Sequence, residues 1–80
     1  MYLHIGNNVI LKKEDIIAIF DYKEMKENKV SSKFLETIKD DITNVSTDLE
    51  KSIILIKEKE KIKGYISNIS SVTLLKRNNI

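Results

Sequence analysis

Cysteine, proline and tryptophan are missing from this chain of 80 residues, and glycine occurs only twice. Without a thiol there is neither a disulfide framework nor a thiolate metal site, and nothing suggests secretion. No proline-rich or low-complexity linker divides the chain, so residues 1–80 are expected to form one domain. Gly6 and Gly64 stand alone and cannot build a phosphate-cradling loop. No apolar run approaches the roughly 20 residues that cross a bilayer, and nothing at the N-terminus reads as a signal peptide. A cytoplasmic protein without membrane contact is the expectation.

The residues that carry catalysis are equally scarce. His4 is the single histidine, and it alternates with aliphatics on an expected strand, where an interface or surface role is the ordinary one. Glu14 and Asp15 are adjacent, hence on opposite faces if extended, and cannot act as paired carboxylates. Asp40, Asp41 and Asp48 lack the spacing and glycine of a calcium loop. No enzyme activity, cofactor, metal or small-molecule substrate is expected.

What the chain does hold is aliphatic residues and lysine. Hydrophobic residues make up 41 % of it, too many for a disordered tail. Lys51–Ile66 organises the rest. Ile53-Ile54-Leu55-Ile56 reads as a strand buried on both faces. After the charged run Lys57–Lys61, alternation resumes, with Ile62, Gly64 and Ile66 on one face and Lys61, Lys63 and Tyr65 on a wet one. This is a β-hairpin. A second hairpin is expected from Tyr2–Ile5 and Val9–Lys12 around Gly6-Asn7-Asn8, residues that tolerate positive φ. Ile16–Asp21 is another strand expected to be covered on both faces.

Residues 22–30 read as a charged surface loop, with room for a helical turn. Ser31 then caps a helix from about Ser32 to Asp41, whose apolar face is Val30, Phe34, Ile38 and Ile42 with Leu35, Val30 and Leu35 forming a staple. An irregular connection follows, with a short extended piece at Thr43–Val45. The serines at 70 and 71 cap a final helix that turns Val72 and Leu75 inward, and Asn78–Ile80 fray. The order is β-β-β-α-β-β-α. This is an α+β fold: a small antiparallel β-rich domain of about five strands, one covering helix and a short C-terminal helix. One helix covers one sheet face, so a neighbouring subunit is expected to cover the other.

Charge is divided unevenly along the chain. Residues 1–50 carry net −3 and residues 51–80 net +5. The basic set is Lys51, Lys57, Lys59, Lys61, Lys63, Lys76 and Arg77. Thirteen lysines stand against one arginine, which suits phosphate contact better than bidentate base reading. The same residues also describe a solvated sheet edge, where lysine deters edge pairing.

Met1-Tyr2-Leu3-His4-Ile5-Gly6, Ile16–Asp21, Lys51-Ser52-Ile53-Ile54-Leu55 and Ser70–Arg77 together resemble, in content and order, the small bacterial RemB (YaaB-type) proteins. These are sisters of the RemA regulators of extracellular-matrix genes. The resemblance implies a DNA-binding regulator of matrix or biofilm genes that assembles into a ring-like homo-oligomer, with double-stranded DNA and further copies of itself as partners. RemA relatives carry arginines just before the strand corresponding to Ser52–Ile56. Here Lys51 stands at that place, Glu50 precedes it, and the second arginine is missing. The alternative is an oligomeric protein–protein adaptor that binds no nucleic acid, favoured by Glu50 and the alternating charges. RNA binding, with Tyr65 and Tyr2 as stacking platforms, is a lesser third.

Overall fold

The computed structural model describes residues 1–79; Ile80, the last residue of the stretch expected to fray, lies outside the described residues. The first hairpin forms as expected, from β1 (Tyr2–Gly6) and β2 (Val9–Lys12), and makes a two-stranded sheet of its own. Its turn runs through Asn7 and Asn8 at φ 49° and 61°, with Gly6 at 106°. Gly6 is required there twice over, because a Cβ would also lie 2.9 Å from Asn68 Oδ1.

The main sheet has the order β3-β5-β6-β4, built from β3 (Ile16–Asp21), β4 (Ile42–Asn44), β5 (Ser52–Glu58) and β6 (Lys61–Ser67). β5 pairs antiparallel with both neighbours, so Ile53 and Ile54 are fully buried. The extended piece expected at Thr43–Val45 is β4, and it runs parallel to β6. The sheet is therefore antiparallel except at that edge.

Two layers, both from this chain, cover the sheet. On one face Ile53, Leu55 and Ile66 meet Met25 and Leu35 from α1 (Tyr22–Glu27) and α2 (Lys29–Thr37). On the other, Ile54, Ile56 and Ile19 meet Leu3, Ile5 and Leu11 of the first hairpin and Leu74 of α3 (Ser71–Asn78). The expectation that a neighbouring subunit must cover this second face is thus corrected. The hairpin folds back across β5 and β6, held by Ser67 Oγ donating to the Ile5 carbonyl at 2.6 Å. Tyr65 packs beneath it, so the face expected to be wet is covered at that residue, while Lys61 stays exposed and Lys63 partly so.

Four local expectations change with it. Residues 22–27 are helix rather than loop, because Asp21 caps them by accepting from Glu24 N at 3.0 Å and Met25 enters the core. Asn28, not Ser31, caps α2, accepting from Ser31 N at 3.0 Å. That earlier start leaves Val30 80 % exposed in the first turn, so no staple forms, and a separate 3-10 turn at Lys39–Asp41 follows α2. In α3, capped by Ser70, Leu74 points inward while Val72 and Leu75 face solvent. Finally, β3 is an edge strand: Ile19 is buried, but Ile17 and Phe20 are 53 % and 43 % exposed.

Candidate nucleic-acid interface

The β5–β6 hairpin turns through Lys59 and Glu60, both left-handed at φ 51° and 65°. Two-residue hairpins need this geometry to match strand twist, and they normally meet it with Asn-Gly. Two charged, non-glycine residues here cost about 1 kcal/mol each in backbone strain. The turn therefore holds a lysine at its tip against local preference.

Next to the tip lies an open cleft of about 600 Å3 between the two hairpins. Lys57 and Lys59 line it from the main sheet, Lys12 and Asp15 from the end of β2 and the turn after it, and Tyr2 and Tyr65 from its walls. The carboxyl of Glu58, also at this cleft, is held below the usual carboxylate range. The hydrogen bond from Lys63 is the chief cause, then the Lys63 charge, with Lys59 and Lys12 adding to it. Lys63 is correspondingly raised, first by that same bond. Because Lys12 and Lys59 both act on one carboxylate, the two hairpins contribute to a shared positive field.

α3 brings further charge to the same end. Lys13 Nζ donates to the Arg77 carbonyl at 2.9 Å, which sets the exposed Lys76 and Arg77 beside the turn following β2. Lys61 is committed elsewhere, to Asp41, and Lys63 is committed at the cleft to Glu58, each at 3.0 Å. Lys51 stands apart, at the opposite end of β5 from Lys59. Eight residues at a strand rise of about 3.3 Å separate them by roughly 25 Å. The main chain of Lys51 is fixed by Tyr22 N donating to its carbonyl and by its own N–H donating to Ser67.

The structure thus divides the expected basic set. Lys57, Lys59, Lys76 and Arg77 gather at one end, Lys61 and Lys63 are neutralised in ion pairs, and Lys51 is remote. Lys12 joins the first group although it lies in the acidic half of the chain. No local signal marks it, since it arrives only through the fold-back of the first hairpin. His4 is exposed on β1, and no three or more His, Asp or Glu residues gather as metal ligands among the described residues. No helix of the described residues is long and apolar enough to cross a membrane.

No family model matches the sequence. Over 77 residues, 96 % of its own length and 89 % of the relative's, the chain is 31 % identical to extracellular matrix regulatory protein B of Bacillus subtilis (strain 168).

Proposed function

The chain belongs to the extracellular matrix regulatory protein B (RemB) family, and from that membership we propose a DNA-binding transcriptional regulator of extracellular-matrix genes, acting as a homo-oligomer through lysine–phosphate contacts. One observation carries the DNA reading. Lys12, Lys57, Lys59, Lys76 and Arg77 share one end of the molecule, and no ion pair engages any of them among the described residues. Asp15 at the cleft and Glu60 beside Lys59 in the turn are acids at this end that no ion pair engages among the described residues, while Glu58 is already tied to Lys63.

A few lysine contacts from one protomer bind DNA weakly. Several protomers on one duplex multiply that affinity through effective concentration, with no new contact type. Binding then falls steeply with salt, the logarithmic slope being about −0.9 per phosphate neutralised. Fluorescence anisotropy with long duplexes tests this. The Lys57→Ala/Lys59→Ala variant weakens binding on every sequence alike and flattens the slope by about two per engaged protomer. Lys61→Ala has the smaller effect, since its charge is already spent on Asp41. Absence of binding by the unaltered protein at low salt defeats the DNA reading.

A second reading, the protein–protein adaptor, draws on the neutralised Lys61 and Lys63, which weaken the positive field along β6. It requires partner capture without a salt-sensitive DNA shift, so a pull-down set beside the same titration separates the two.

A further inference from the structure

The cleft between the two hairpins holds more than phosphate contact requires. Lysine alone suffices to meet a duplex backbone, yet this cleft is also walled by Tyr2, Tyr65 and Ile10 and carries the carboxylate of Asp15. Register brings two of these groups together. Tyr2 stands directly opposite Lys12 in the β1–β2 pair, and His4 opposite Ile10. Directly opposed residues of an antiparallel pair share a face, with Cβ atoms about 5 Å apart. The outer face of this hairpin therefore sets an aromatic ring beside an ammonium group, with Ile10 diagonal to the ring. Tyr2 and Ile10 are 60 % and 56 % exposed there, while Leu3 and Leu11 on the inner face are buried against the main sheet. From that sheet come Lys57, Lys59 and the half-buried Tyr65. The charge is positive but mixed: three lysines line the cleft with Asp15 and with a Glu58 already paired to Lys63. A carboxylate repels an inorganic anion but accepts from N–H and O–H groups.

We propose that this cleft binds a free nucleoside phosphate, its base against Tyr2, its phosphate on Lys12, Lys57 and Lys59, and its base-edge or ribose donors on Asp15. One small molecule then answers every chemistry the cleft offers. It supplies a flat π-face for the ring, an anion for the ammonium groups and donors for the carboxylate. The volume of about 600 Å3 suits such a ligand, since small-molecule sites usually span about 300–1,000 Å3. A single strand needs a track of successive aromatic rings, whereas Tyr2 and Tyr65 line one cleft. The phosphate takes the same lysines as the proposed DNA contact, so nucleotide and duplex exclude each other. That link alone rests on the regulator reading.

Isothermal titration calorimetry of the full chain at 0.15 M salt, with GMP, AMP and inorganic phosphate as probes, tests the site. The better of the two nucleotides binds about tenfold more tightly than phosphate, the usual gain from one stacked base. In saturation-transfer NMR its base protons respond more strongly than its ribose protons. Tyr2→Ala lowers nucleotide affinity about tenfold, Tyr2→Phe restores it, and neither moves phosphate binding. Both variants keep the circular dichroism spectrum and melting behaviour of the unaltered protein, because the side chain they change is mostly exposed. Lys12→Ala weakens nucleotide and phosphate together. Nucleotide binding no tighter than that of phosphate, indifference to Tyr2→Ala, or capture of a single-stranded oligonucleotide by a protein that ignores both mononucleotides overturns the proposal. Duplex anisotropy on the same samples keeps the two failures distinct. A protein that binds nucleotide but no duplex leaves this site standing alone, and one that binds duplex but no nucleotide leaves only the regulator reading.

Discussion

Glu60 is the residue whose conformation least suits its chemistry. At φ 65° in the second position of a tight turn, it takes the place where glycine is usual. Replacing it by glycine relieves the left-handed penalty and leaves the neighbouring lysine in place. Glu60→Gly is expected to raise stability by about 1 kcal/mol, read by urea unfolding at neutral pH. It also removes one negative charge from the tip, so DNA affinity rises while the dependence on Lys57 and Lys59 persists. The turn's existence is legible in the charged run between two aliphatic stretches. Its left-handed geometry follows from the two-residue connection, since β5 ends at Glu58 and β6 begins at Lys61.

At the level of elements, α3 shows how a short helix can be found and its orientation missed. Ser70 marks its start through the bond from Thr73 N, as the serine pair suggests. The inward position is Leu74, fully buried among Leu3, Ile19 and Ile54, not the Val72 and Leu75 pair. With only eight residues, three aliphatic positions leave the inward stripe undetermined until the surface beneath is known. Leu74→Ala is expected to cost about 2–5 kcal/mol, with Val72→Ala near zero, by thermal or urea unfolding. The reverse order would place the inward stripe where the sequence pattern alone puts it. α1 is a related case: six residues with one buried methionine have no legible period, but Asp21 and the underlying sheet hold them helical.

The whole molecule is organised by coverage of β5 on both faces. Its aliphatic run announces that coverage, and the structure supplies it from within the chain: α1 and α2 on one side, the first hairpin and α3 on the other. Ser67 joins the layers, its hydroxyl donating to Ile5 and accepting from Ile69 N at 2.9 Å. Ser67→Ala leaves the buried Ile5 carbonyl without that donor and is expected to cost about 1–3 kcal/mol. Its diagnostic is earlier hydrogen exchange of the β1–β2 amides relative to β5, since the hairpin loses its anchor. Strand identity, both hairpins and the α+β class were readable because period-two alternation and turn residues are local properties of the backbone. The layer that roofs β5, the open side of β3 and the meeting of Lys12 with Lys57 and Lys59 were not. Each depends on which way a hairpin folds over a sheet, and that choice is made by the summed burial of Leu3, Ile5 and Leu11 with Leu74 from the far end of the chain, residues whose individual positions carry no mark of it.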